Sequence, residues 1–299
     1  HWMEGATNVS ENKNIKYLDS RHLYLNHMDP LESVVTIFNR QICNLTEGNE
    51  NALGGIVCVW NDRAVANGDD VMIMNPVYPG MLAFAERSWR GGGYAGWTAT
   101  IGEPETERAT AFAEFENRLL DQKQQYFKGL DFPYVKQADL VWDIYGPYEN
   151  KGNLSKVFAP ESIKFNALKE KPKYKATGGT LVMKHWWAPL ISGVVEQPQE
   201  NTTWYAQTQI WSDEDKQREF WIGFNNLSRS MSTDSPNAGT WNNLKSQVWV
   251  NNELVSPPLW KHPNQKGNLE IPLIDEGYEF REPTIISLKK GWNTVKVKL

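Results

Sequence analysis

At 299 residues with 40% hydrophobic side chains, the chain can bury a sizeable core, and its length suits two domains. A net charge of −5, without a basic stripe of the kind that neutralises phosphates, counts against nucleic acid and anionic membrane surfaces as partners. No run approaches the roughly 20 apolar residues of a membrane helix. Two cysteines, Cys43 and Cys58, are too few for a disulfide framework and read as buried free thiols. The five histidines form no pair with metal spacing, so no metal and no other cofactor is expected. The opening HWMEG has neither an initiator Met nor targeting character, which predicts that the chain begins inside a longer protein.

Residues 14–20 (NIKYLDS) read as a short strand ending in polar residues. In DPLESVVTIFNRQIC (29–43), Asp29 is a cap, Pro30 suits the first helical position and Glu32 the acidic place of a capping box. Leu31, Val34, Val35, Phe38 and Ile42 then share one helical face. GIVCVW (55–60) has the composition of a fully buried strand, followed at once by Asn61, Asp62 and Arg63 and a polar segment through Asn75. A helix is predicted from Pro79, with Tyr78, Met81, Leu82, Ala85 and Trp89 as its stripe and RGGG (90–93) as its stop. Another fits 104–128, with Phe112, Phe115, Leu119 and Tyr126 on its apolar side and Gly129 and Pro133 beyond it. Strands alternating with helices predict parallel pairing.

From about 135 the texture changes to short runs rich in Val, Ile, Thr and Trp: LVWDIYGPY, GTLVMKHWW, TWYAQTQIW, REFWIGF, SQVWVNNELV, LEIPLI, PTIISL and NTVKVKL. Turn residues separate them, which predicts an antiparallel β-sandwich. In the last run Val295, Val297 and Leu299 should face inward, Lys296 and Lys298 outward. The fold class is therefore α/β plus all-β, with the boundary near 134. Ten of the 14 tryptophans lie between Trp142 and Trp292. Most sit inside strand runs and read as core; Trp241 and Trp260, beside turn sequences, are the ones expected to be exposed.

Residues 1–134 are about half of the roughly 250 that a (β/α)8 barrel takes. In such barrels chemistry sits at the C-terminal ends of strands, where Tyr17, Asp19, Trp60 and Asp62 fall. Indole followed by carboxylate offers a stacking wall and a hydroxyl acceptor for a sugar ring. The alternatives stay open: Trp60 as core with Asp62 capping a turn, and Asp19 satisfying loop amides.

The runs YLDSRHLYLNHMDPLESV, GGIVCVWNDRA and NPVYPGMLAFAERSWRGGG resemble, in order, the C-terminal part of the catalytic barrel of glycoside hydrolase family 20, the β-N-acetylhexosaminidases. VKQADLVWDIYGPYENKGNLSKVFAPE and LKKGWNTVKVKL resemble the β-sandwich, jelly-roll-like, that trails the barrel in some bacterial members. The resemblance implies that residues 1–134 are the barrel's C-terminal part and 135–299 an accessory sandwich. It makes Tyr17 the donor to the substrate's acetamido oxygen, Asp19 a holder of a sugar hydroxyl and Trp60 a wall of the N-acetylhexosamine pocket. Asp62 stands where the family has a glutamate, one methylene longer, and Trp2 is placed at the end of an earlier strand. The implied reaction is retaining and substrate-assisted, the acetamido oxygen attacking the anomeric carbon. Its Asp-Glu pair is expected upstream of residue 1, since Asp275-Glu276 and the SDED at 212–215 read as charged turns. No catalytic residue is therefore assigned within the chain. The resemblance further implies a glycan partner carrying N-acetylhexosamine, a companion segment or partner chain completing the barrel, and a periplasmic or secreted location. A non-catalytic carbohydrate-binding or structural module is the competing class.

Overall fold

The computed structural model describes residues 14–21, 23–25, 30–60, 64–74, 76–162, 170–185, 187–188, 190–224, 235–265 and 283–299. It has mixed helix and sheet content. β1 (Tyr17–Asp19) and β2 (Ala52–Gly55) pair in parallel, Tyr17 opposite Ala52 and Asp19 opposite Gly55. Between them run α1 (Pro30–Asn39) and a 3-10 turn at Ile42–Asn44. α1 starts at the proline that fits a first helical position and buries Val34, Val35, Ile37 and Phe38.

The stretch expected as a buried strand at 55–60 differs. Regular pairing comes earlier, at 52–55, and only Cys58 bridges further on, to Tyr24. Ile56, Val59 and Trp60 are exposed, while Val57 packs partly against the helices. The reason is that β2 pairs only with β1 among the described residues, so one side of this segment has nothing to bury against.

α2 (Asp70–Met74) is a short helix within the segment expected to be loop. α3 (Val77–Arg90) keeps part of its predicted stripe, Tyr78 and Leu82 packing half-buried against the core, but Met81, Ala85 and Trp89 are exposed while Val77, Pro79, Gly80, Ala83 and Arg87 are buried. Close approach decides this at Gly80. A Cβ on Gly80 would come within 2.4 Å of the Leu25 side chain, so this point of the helix's buried face takes only a glycine. Gly80→Ala should therefore destabilise by about 1–3 kcal/mol by overpacking, which urea unfolding would measure. Gly91, at φ 65, ends the helix as predicted.

α4 (Glu107–Gln125) is capped by Thr106, whose hydroxyl accepts from the Ala109 N–H at 3.3 Å. Phe112, Phe115 and Leu119 are buried as predicted; Tyr126, beyond the helix end, is exposed instead. Phe38 stacks on Phe115 with centroids 4.8 Å apart and meets Phe112 edge-on. Each such buried ring contributes about 1.5–3 kcal/mol.

The second half carries a six-stranded sheet. In spatial order it runs β10 (Glu253–Leu254), β9 (Gln247–Val250), β12 (Gly291–Lys298), β7 (Thr202–Ser212), β4 (Val141–Glu149) and β5 (Tyr174–Thr177), every pair antiparallel. One face buries Ile144, Trp204 and Ala206. β8 (Lys216–Phe220) and β11 (Thr284–Leu288) form a separate antiparallel pair, placing Phe220, Ile286 and Leu288 against Val250 and Val295 of the large sheet. β3 (Trp97–Thr98) pairs in parallel with β6 (Ile191–Ser192), joining the two halves.

Two expectations fail here. GTLVMKHWW forms no regular strand, its Val182 and Met183 carbonyls accepting instead from Val194 and Val195. Lys296 and Lys298 are buried, more so than Val295 and Val297. The segment through α5 (Ala159–Ser162) covers their face and supplies acceptors: Pro160 O for Lys296, and for Lys298 the Lys156 carbonyl at 2.9 Å and Glu161 at 2.7 Å. A lysine can be buried where its ammonium keeps such partners. The predicted run at 269–274 and Asp275-Glu276 lie outside the described residues.

Candidate functional site

Of the residues expected to carry chemistry, Tyr17 and Asp19 are the first and last residues of β1. Asp19 is fully buried and all its acceptor capacity is used. One oxygen accepts from the Arg21 backbone N–H (3.1 Å) and Nε (3.4 Å); the other accepts from Arg40 Nη2 (2.7 Å) and the Cys43 N–H (2.8 Å). The Arg21 turn is the loop-amide alternative open from sequence. The bond to Arg40, at the end of α1, is long-range. As it stands, the Asp19 carboxylate is turned inward and fixes the end of the helix against the end of the strand.

Arg40 is equally enclosed. Its guanidinium lies 4.1 Å from the centroid of the Trp97 ring, with Arg21 at 5.9 Å from the same ring. Nε and Nη1 of Arg40 have no hydrogen-bond partner. Burial pushes its pKa down to about 10, against the opposing pull of Asp19. Two guanidiniums thus share one carboxylate beneath an indole.

Tyr17 is buried too, and its hydroxyl finds no oxygen or nitrogen partner, only the Cys43 thiol beside it. Burial, with the Cys43 thiol next in importance, holds the phenol above its ordinary value, so it remains a donor at neutral pH. Burial and the nearby Asp19 raise the Cys43 thiol as well. Both cysteines are free, Cys43 buried and Cys58 half-buried.

Trp60 is 55% exposed, which removes the alternative in which it is core. The pairing brings Tyr17 and Asp19 together but sets Trp60 apart from them, beyond the Tyr24–Cys58 bridge and past Gly55, the partner of Asp19. Asp62 and Trp2 lie outside the described residues.

Sequence reasoning missed Arg40, Arg21 and Trp97. Arg21 had a local signal, an Asp two residues before it. Arg40 follows an apolar run at a helix end, where a cation ordinarily meets water and the helix dipole; nothing local marks it as buried. Among the tryptophans, Trp241 is buried with Nε1 donating to Val255 O, and Trp260 is half-buried with Nε1 donating to Thr240 O. The exposed ones in the second half include Trp211 and Trp292, which sequence placed inside strands. No group of three or more His, Cys, Asp or Glu among the described residues could hold a metal ion, and no helix there is long and apolar enough to cross a membrane.

Comparison of the chain with known protein families, with curated proteins and with solved structures finds no match.

Proposed function

We propose that the chain is the C-terminal part of a bacterial β-N-acetylhexosaminidase that removes terminal N-acetylglucosamine or N-acetylgalactosamine from glycans. In this reading residues 1–134 contribute the last strands of a (β/α)8 barrel and 135–299 form an accessory β-sandwich. The adjacent Asp-Glu pair that assists the acetamido oxygen lies upstream of residue 1, and the whole protein works in the periplasm or outside the cell. A companion segment or partner chain completes the barrel.

One observation supports this above the others: a buried, protonated phenolic O–H, on the first residue of a parallel strand, that has the weakly accepting Cys43 thiol beside it and no oxygen acceptor. A buried donor left wholly unsatisfied costs about 1–3 kcal/mol, and a ligand carbonyl such as an acetamido oxygen would serve it better than a thiol. The Asp19–Arg40 pair, in this reading, positions Tyr17 rather than touching sugar, and exposed Trp60 offers its indole to the outer part of the glycan. Reaching the Tyr17 hydroxyl requires the sugar to displace atoms that now enclose it.

The reading predicts acetamido selectivity. In saturation-transfer NMR with the 299-residue chain, the acetamido methyl of N-acetylglucosamine should receive strong saturation and glucose little. Tyr17→Phe should reduce the methyl signal about fivefold or more without changing the unfolding midpoint by more than a small amount. Equal signals from both sugars, or an unchanged Tyr17→Phe, would count against the reading. The same chain should release no chromophore from a chromogenic N-acetylglucosaminide, and robust turnover would contradict the upstream position of the acid pair.

The competing class, a carbohydrate-binding module, draws on a different observation: exposed aromatic side chains on the large sheet.

A further inference from the structure

Trp211 on β7 and Trp292 on β12 are directly opposite in the antiparallel register. Their rings meet edge-on, centroids 5.3 Å apart and planes at 71°, yet they remain 58% and 64% exposed. Cross-strand aromatic pairs stabilise a sheet by about 0.2–1 kcal/mol, but leaving two indoles in water forgoes far more burial than that. The pair forms an open corner: one indole face as floor, the other as wall.

The corner is held rigidly. Asn293, fully buried between the two strands' next positions, donates from Nδ2 to the carbonyls of Lys289 (2.7 Å) and Gly291 (3.0 Å) and accepts at Oδ1 from Lys289 N–H (2.8 Å). Asn251, in the β9–β10 turn, donates to Asn293 Oδ1 at 2.7 Å and accepts from Thr294 N–H at 3.0 Å. Asp215 Oδ1 accepts from Lys290 N–H at 2.6 Å, tying the adjoining turn. Such bonding fixes the backbone under Trp292 before any ligand arrives.

Next to the corner the same face is uncharged; further along it Lys296, opposite Gln207, and Lys298 are buried with their ammonium groups held by Pro160 O, Lys156 O and Glu161. Gln209 pairs with Thr294 across the strands, and Gln207 follows at the next same-face position, about 13 Å from Trp211 by strand rise. Gln207 is buried and its Oε1 has no hydrogen-bond partner. At the other end the rim balances: Asp213, Glu214 and Asp215 against Lys216, Lys289 and Lys290. The exposed rim of the corner carries no net charge to recruit an anion or a basic protein.

We infer that this corner is a binding site for a neutral glycan, one pyranose packing its C–H face into the Trp211–Trp292 corner and its hydroxyls reaching Gln209 and Thr294. A second copy of the chain fits less well, because the two indoles present only about 300 Å², below the roughly 800 Å² per partner of a stable interface. The site stands on the sheet alone and is independent of the Tyr17 reading.

The test is affinity electrophoresis of the 299-residue chain through gels containing soluble neutral polysaccharides (hydroxyethylcellulose, xylan, dextran, glycol chitin), with sedimentation analysis of the same samples. At least one polysaccharide should retard the wild-type chain. Trp211→Ala and Trp292→Ala, both at exposed positions, should each weaken retardation about tenfold or more with unfolding midpoints near wild type. Tyr17→Phe should bind as wild type does, which separates this site from the strand-end site. No retardation by any of the four gels overturns the inference, as does retardation unaffected by either tryptophan substitution. So does a dimer that both substitutions dissociate, which would make the corner an interface between copies.

Discussion

Asp19→Ala should destabilise the protein by about 3–5 kcal/mol, because it strands a buried arginine without its counterion. Four donors converge on that carboxylate, and one of them, Arg40 Nη2, comes from a side chain as enclosed as Asp19 itself. Asp19→Asn should fare little better: its amide nitrogen would point a donor at donors. The check on mechanism is a double-mutant cycle by urea unfolding. Asp19→Ala with Arg40→Met removes both charges and keeps an unbranched apolar side chain against Trp97, so it should cost clearly less than the sum of the single changes. Additive losses would show that the carboxylate acts through its backbone bonds to Arg21 and Cys43 and not through the ion pair.

Glu116→Ala should cost about 3 kcal/mol, since two buried donors and one half-buried donor lose one shared acceptor. Glu116, on α4, accepts from the Tyr134 hydroxyl at 2.7 Å and from the Gln137 and Ala138 N–H groups at 2.5 and 2.9 Å. Gln137 in turn accepts from the Gly179 and Thr180 N–H groups, so one carboxylate organises the connection between the helical half and the sheet. Burial, the largest influence, raises its pKa above the ordinary 4.5 despite the three donors. The folded chain therefore holds this proton more tightly than the unfolded chain. The stability it contributes is full below 4.5 and is lost as pH rises through the raised value. Glu116→Gln lacks that titration. The stability gap between wild type and Glu116→Gln should narrow as pH rises from below 4.5, and a gap that widens would contradict this assignment.

What could be read beforehand follows physical locality. Helix limits set by local chemistry came through: Pro30 starts α1 and Gly91 ends α3. Strands with strong β-branched and aromatic content, Val141–Glu149, Thr202–Ser212 and Gly291–Lys298, also came through, whereas the run SQVWVNNELV is broken by a hairpin turn at Asn251-Asn252, both residues at positive φ. Which face is buried was less legible, because it depends on what packs there. Gly80 faces inward on α3 by fitting against Leu25, and the segment holding Pro160 and Glu161 buries two lysines that alternate as if they faced water. The site shows the same division. The Asp19–Arg21 turn is local, whereas the Asp19–Arg40 bond joins residues 21 positions apart and left no trace in either neighbourhood. Tryptophans beside turns were expected outside, yet Trp241 and Trp260 find carbonyl acceptors and fold inward. Trp211 and Trp292 point the other way because their strand face loses its cover beyond Gln207.

The most direct measurement of whether the strand end recognises an amino sugar is an isotope-edited NOE experiment on tyrosine-labelled chain with N-acetylglucosamine. Contacts from the acetamido methyl to the ring protons of Tyr17 are the predicted result. Methyl contacts that avoid Tyr17, falling on other tyrosines or on none, would contradict it.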